Sequence, residues 1–145
     1  MFNLQDFKFV NTTPPAAIID NAAAVTAALD TKGFDSACFI VQLGALDIAV
    51  SAMKLQESDA SGSGFVDITG ADFSVSPLTL PAATDDNKIY AVFVNLVGRK
   101  RYLDLSLTLG DGSTGTFVAV LAILGRGQNV PSTATLRGLG QQAIV

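Results

Sequence analysis

Histidine and tryptophan are absent from the chain, and cysteine occurs once, as Cys38. Without histidine, one chain cannot assemble a Ser-His-Asp triad, a Cys-His dyad or any histidine general base. Histidine-ligated metal centres are excluded as well. A single cysteine forms neither an intramolecular disulfide nor a cysteine-based zinc site. Cys38 lies in the apolar run Ala37-Cys38-Phe39-Ile40-Val41 and reads as a small buried hydrophobe, with no histidine to activate its thiol. Charge is also scarce. Only 15% of the 145 residues are Asp, Glu, Lys or Arg, against roughly 25% in an ordinary soluble domain. Hydrophobic residues make up 49%, which excludes intrinsic disorder. The length suits one domain with its own core. Such a chain has too few polar residues to cover a lone surface, so part of its apolar surface needs another destination.

A membrane is not that destination. A spanning helix needs about 20 apolar residues, whereas the longest uncharged stretch, Gly112–Gly125, has 14. Asp6 and Lys8 interrupt the N-terminus, and no apolar signal-peptide core is expected there. Few aromatics and no tryptophan argue against the interfacial girdles of a transmembrane barrel. Carboxylate chemistry would have to use Glu57 and Asp59, which flank Ser58, or the adjacent Asp85 and Asp86. Asp, Asn and Ser are ordinary turn residues, and both clusters read as turns with no calcium-loop spacing. Ser61–Gly64 and Gly110–Gly115 lack the lysine of a phosphate loop. The second reads as a hairpin connection built on Asp111-Gly112. No catalytic residue, cofactor or metal is expected.

Period-2 alternation dominates what is there. Leu103, Leu105, Leu107 and Leu109 alternate with Tyr102, Asp104, Ser106 and Thr108, which predicts a strand with one buried face. Leu46–Glu57 alternates less strictly, and Asp35–Leu43 places Phe39, Val41 and Leu43 on one face. Ile89–Val97 and Thr116–Leu124 are apolar on both faces, so something must cover each on both sides. Phe65–Ile68 and Asp72–Leu80 read as weaker strands, the latter broken or at an edge because of Pro77. Residues 16–32 admit two readings. Thr13-Pro14 and Gly33 could cap an alanine-rich helix, while Asp20-Asn21 and the residues Val25, Thr26 and Leu29 favour two short extended pieces. Strands recurring at this spacing predict an all-β, single-domain β-sandwich or jelly roll over residues 16–130. Residues 1–15 form an N-terminal arm or first strand, and 131–145 a C-terminal tail.

Three of the nine phenylalanines, Phe2, Phe7 and Phe9, fall in the first nine residues. They suit either a first strand on the core or an arm docked on a neighbour. The tail is uncharged from Gly138 and ends in Ile144 and Val145. Residues 1–72 carry a net charge of −6 and residues 73–145 of +2, which together give −4. The one basic cluster, Arg99-Lys100-Arg101, falls between two strands. It reads as a solvated hairpin tip or as a contact to an acidic partner. With a pI near 4.5, no nucleic-acid surface is expected.

Four segments in order carry a resemblance: Ala27-Ala28-Leu29-Asp30-Thr31-Lys32-Gly33-Phe34-Asp35-Ser36, then Lys54-Leu55-Gln56-Glu57-Ser58-Asp59, then Arg101-Tyr102-Leu103, and finally Ala122-Ile123-Leu124-Gly125. Together, over roughly residues 15–130, the chain resembles the small capsid decoration, or cement, proteins of tailed bacteriophages, including those of podophages. The resemblance implies a β-sandwich or jelly roll on the outside of an icosahedral head. It implies a homo-oligomer that bridges major capsid proteins, made in the host cytoplasm and carried on the virion. It favours strand over helix for residues 16–32 and brings no catalytic residue. The Phe-rich start and the Gln-rich finish depart from it. A dimer is the default oligomer, with a trimer as the other possibility. The expected capsid or subunit contacts are Phe2, Phe7, Phe9, Arg99, Lys100, Arg101, Ile144 and Val145. The alternative role is a fibre, spike or host-recognition module, although a sugar platform would want more aromatics than two tyrosines and no tryptophan.

Overall fold

Residues 3–144 are described by the structure, a computed structural model; Met1, Phe2 and Val145 lie outside the described residues, and with them the contacts expected of Phe2 and Val145. A 3-10 turn at Leu4–Asp6 precedes nine strands. In chain order these are β1 (Lys8–Thr13), β2 (Ile18–Ile19), β3 (Leu29–Asp30), β4 (Phe34–Leu43), β5 (Ala52–Ser58), β6 (Val66–Asp72), β7 (Ile89–Asn95), β8 (Tyr102–Thr108) and β9 (Thr116–Gly127).

The strands form two antiparallel sheets. One has the order β1-β9-β4-β7, with β2 also pairing β9; the other has the order β3-β8-β5-β6. The pairings are nested: β1 with β9, β3 with β8, β4 with β7, β5 with β6. A long antiparallel hairpin rolled so that its successive pairs alternate between two sheets is the jelly-roll form of the β-sandwich.

Alternation supplies the core between the sheets. From β8 come Leu103, Leu105 and Leu107, with Leu109 just beyond it; Met53 and Leu55 of β5 sit opposite Leu107 and Leu105. From the other sheet Phe39, Val41 and Leu43 of β4 meet Ala122, Val120 and Val118 of β9. Each fully buried aliphatic or aromatic side chain contributes about 1.5–3 kcal/mol, which makes this cluster the main stabilising feature.

Residues 16–32 resolve into extended pieces and contain no helix. β2 and β3 are joined by backbone that runs along the sheet edges. Ala24 N–H donates to the Leu107 carbonyl (2.8 Å), Leu109 N–H to Ala22 (3.0 Å), and Ala27 N–H to Thr12 (2.9 Å). Edge pairing satisfies this backbone in place of the helical bonds that the alanines and caps would allow.

Several boundaries differ from the sequence reading. The strand expected from Leu46 begins only at Ala52. Leu46 and Val50 are instead fixed in a loop, their N–H groups donating to Asp86 Oδ1 and the Pro81 carbonyl. Asp72–Leu80 is not a strand: Asp72 accepts from the N–H and hydroxyl of Ser74 and turns the chain. Gly110–Gly115 is not a hairpin connection, and Arg99–Arg101 is not a hairpin tip. The strands flanking each segment lie in different sheets, so both segments cross the edge of the sandwich. A rolled hairpin imposes such crossings, which local turn chemistry does not reveal.

The ends are not extended arms. β1 is integral to the first sheet, with Lys8 through Asn11 in register against Leu124 through Leu121. The C-terminal segment folds back onto β1. Phe9 N–H donates to the Arg137 carbonyl (2.7 Å), and the buried Arg137 guanidinium donates to the Gln5 carbonyl (2.6 Å) and to Gln142 Oε1 (2.9 Å). Gly138, at φ +77, lies so close that a Cβ there would run into the Phe9 carbonyl.

Candidate interaction surface

The outer face of the β1-β9-β4-β7 sheet carries an apolar band, bordered by the polar residues Asn11, Ser36, Gln42 and Asn95. The register aligns Phe9, Ile123, Cys38 and Phe93 in one row across its four strands. In the next row Leu121, Ile40 and Ala91 lie side by side, and Ile89 continues along the open edge. Phe93 is 82% exposed and Ile89 64% exposed. Val97, one turn beyond, is exposed as well. Cys38, Ile40, Ile89, Ala91, Phe93 and Ile123 line a shallow concavity of about 580 Å³ whose rim includes Leu4, Phe7 and Asp35. An exposed apolar area spanning β9, β4 and β7 is the kind of surface that marks an interaction site, in contrast to scattered single residues.

Two features shape this face. Gly125 has no side chain because the Phe7 ring and the Ser36 hydroxyl occupy the space where a Cβ would stand. Phe7 thereby closes one end of the concavity. Cys38 opens onto the middle of it, and partial burial raises its thiol pKa, which disfavours the thiolate.

The outer face of the other sheet is polar and internally satisfied. Lys54 Nζ bonds Asp67 Oδ2 (2.8 Å), Gln56 Nε2 donates to Asp67 Oδ1 (2.6 Å), and the Thr26 hydroxyl donates to Asp104 (2.6 Å). Its remaining outward positions on β8 are Tyr102, Ser106 and Thr108.

The basic cluster is used within the chain. Arg99 pairs with Glu57 (3.4 Å), Lys100 Nζ with Asp59 (3.1 Å), and Arg101 with Asp30 through two parallel bonds of 2.9 and 2.7 Å. The Arg101 guanidinium also lies 5.0 Å from the Tyr102 ring centre. Hydrogen bonds from Arg101 hold the Asp30 carboxyl down at about 2, and Asp30 raises the guanidinium pKa in turn. The acidic cluster that suggested catalysis, Glu57 and Asp59, is therefore the counter-charge of this crossing. Asp85 likewise serves a turn. Lys88, the Ala82 N–H and the Tyr90 hydroxyl all bond it, Lys88 contributing most, and its pKa is about 2. Asp47 accepts from the N–H groups of Thr114, Ser113 and Gly115, which fixes the crossing between β8 and β9 and lowers its pKa to about 2.

Of the expected contacts, Phe7 lies at the rim of the apolar face and Phe9 within it, where the C-terminal segment covers it. Ile144 is exposed beside a small hollow formed with Leu4, Phe9 and Arg137. Arg99, Lys100 and Arg101 lie on the lateral crossing, away from the apolar concavity's lining. The sequence reading identified the double-sided apolarity of Ile89–Val97 and Thr116–Leu124. It missed Cys38 and Ile40, whose outward positions alternate with Phe39 and Val41 inside one continuous apolar run. Among the described residues, no cluster of three or more His, Cys, Asp or Glu side chains could hold a metal ion, and no helix is long and apolar enough to cross a membrane. No family model matches the chain, and no curated protein matches its sequence.

Proposed function

We propose that this chain is a structural virion protein, a decoration or cement subunit that binds the outer surface of an icosahedral phage head and bridges its major capsid subunits. The observation that carries this reading is the apolar outer face of the β1-β9-β4-β7 sheet, exposed at Phe93 and Ile89. The four ordered segments that resemble cement proteins supply the phage context. A fold does not name a function, so the weight rests on the surface. Contact is the work of such a protein: Asp30, Asp47, Glu57, Asp59 and Asp85 are committed to turns and crossings, while the surface around Phe93 and Ile89 is apolar and exposed. A subunit that binds the assembled shell in preference to free capsid protein stabilises the shell by mass action, and a homo-oligomer holding several capsomers adds avidity.

Co-sedimentation with purified heads of tailed phages tests the reading. The expected result is saturable binding at a fixed copy number per shell, lost in Phe93→Lys. Absence of binding to any intact or expanded head overturns it, and binding to a glycan array in place of heads would move the chain to host recognition.

A further inference from the structure

We infer that two copies of this chain pair through β7, antiparallel and about a two-fold axis, with Ala91 of each copy opposite Phe93 of the other. The inference gives a structure to the homo-oligomer of the preceding section and does not depend on the capsid as its partner.

The sheets end in edges, and all but one are blunted. β2 and β3 are two residues long. The edge of β1 is taken by the C-terminal segment, which bonds Phe9 N–H and packs Gly138 on its carbonyl. β6 has a register break against β5, a positive φ at Gly70, and exposed Asp67. Short strands, coverage, bulges and charge are the usual defences against edge pairing. β7 has none of them. Its seven residues, Ile-Tyr-Ala-Val-Phe-Val-Asn, include no proline and no charge, and its register against β4 is unbroken from Ile89 to Asn95.

The hydrogen-bond parity of that edge is fixed. Leu96 N–H donates to the Asp35 carbonyl (3.0 Å) and Leu43 N–H to the Lys88 carbonyl (3.2 Å). Continued along the register, Tyr90, Val92 and Val94 bond β4, whereas Ile89, Ala91, Phe93 and Asn95 turn their N–H and C=O groups outward. An open row of strand-edge N–H and C=O groups is a template for pairing with another chain. A second β7 presents the same row of donors and acceptors, and antiparallel pairing of identical strands closes as an isologous dimer. The 91-to-93 register engages all four outward residues of both strands, about eight hydrogen bonds in an ideal ladder. It seats each Phe93 ring beside the small Ala91 of the mate, and Ile89 beside Asn95. A register centred on Phe93 would crowd two rings, and one centred on Ala91 would leave Asn95 without a partner. No charge on either strand opposes the union, and the two apolar outer faces merge into one.

Sedimentation velocity of the full chain across a concentration range, with Ala91→Pro beside it, tests the pairing. Proline at 91 removes an outward N–H and none of the bonds to β4, a substitution that edge strands tolerate. The expected result is a concentration-dependent dimer, weakened about a hundredfold in Ala91→Pro by loss of one buried hydrogen bond on each side of the axis. Residue-resolved amide exchange of the unmodified protein decides even if the variant unfolds. Ile89, Ala91 and Phe93 amides should slow as concentration rises, while Ser106 on β8 does not change. A monomer at every concentration, or a dimer whose β7 amides exchange freely, overturns the inference. A monomer that still occupies heads would leave the capsid reading standing; a β7 dimer that ignores heads would do the reverse.

Discussion

The two outer faces of this sandwich obey the same alternation and reach opposite results. On β5, β6 and β8 the outward positions are Lys54, Gln56, Asp67, Asp104, Ser106 and Thr108, and the charged ones are bonded to neighbours. On β4, β7 and β9 the middle ones are Cys38, Ile40, Ala91, Phe93, Leu121 and Ile123, with Ser36, Gln42 and Asn95 as the polar ones towards the strand ends. The inner faces are equally apolar and pack on each other. A low overall charge is thus not a uniform dilution. One sheet is finished against water, and the other keeps a face that water covers poorly. Exposed apolar area of this extent is costly to keep in solution unless something else covers it.

The largest test contrasts inside with outside. Leu105 is fully buried between the sheets, and Phe93 is largely exposed on the apolar face. Leu105→Ala should cost about 2–5 kcal/mol of stability, as cavity-forming core substitutions do. Phe93→Ala should change monomer stability by no more than about 0.5 kcal/mol. Urea denaturation of both variants at low protein concentration measures the difference. Equal losses would mean that the Phe93 face is part of the monomer's core and not a free surface.

The next test contrasts the faces themselves. Phe93→Lys places a charge on the open-edge side of the apolar face, while Ser106→Lys places the same charge on β8 of the polar sheet. Head binding should weaken at least about tenfold in the first and by less than about twofold in the second. Titration of heads followed by sedimentation reads both. A larger effect at Ser106 would transfer the docking role to the polar sheet.

The inner faces were legible because each depends on a local pattern: the four leucines from Leu103 to Leu109 declare a buried side without reference to any other strand. The surplus apolar face was half legible. Phe93 and Ile123 stood out on doubly apolar strands, but Cys38 and Ile40 joined them only through the register of β4 with β7 and β9, which no single segment encodes. The crossings at Gly98–Arg101 and Gly110–Gly115 were misread for the same reason. Gly-rich turns look alike whether they return to the same sheet or step to the other, and the choice is made by which distant strand pairs best. The ion pairs of Arg99, Lys100 and Arg101 with Glu57, Asp59 and Asp30 follow from that step across the edge. Opposite charges some 40 to 70 positions apart carry no spacing signature.

Acid should act through the polar groups and spare the apolar face. Asp30, Asp47 and Asp85 have pKa values of about 2 in the folded chain, below the ordinary aspartate value of about 3.9. The unfolded chain therefore takes up protons first as the pH falls. The stabilisation is complete above about pH 5 and is lost between about pH 4 and pH 2. With no histidine, no stability change from imidazole is expected between about pH 5.5 and 8. Thermal melts across this range check both halves, and a step near pH 6.5 would contradict the assignment.

The smallest effect is expected at the best-formed surface ion pair. Arg101 and Asp30 make two parallel bonds, yet both side chains are nearly half exposed. Solvent screens such pairs, and the ordering of two long side chains offsets much of the attraction. Arg101→Ala should therefore cost about 0.5 kcal/mol, with part of that from the lost contact over Tyr102. The electrostatic part should shrink in 1 M salt, where the Debye length falls to about 3 Å. Urea denaturation of the variant at low and high salt measures it. A loss above about 2 kcal/mol that salt leaves untouched would mean that the crossing from β7 to β8 is locked by its charges. The polar side of the molecule would then be an energetic centre in its own right, and the contrast between a satisfied face and an unsatisfied one would no longer account for where this chain has surface to spare.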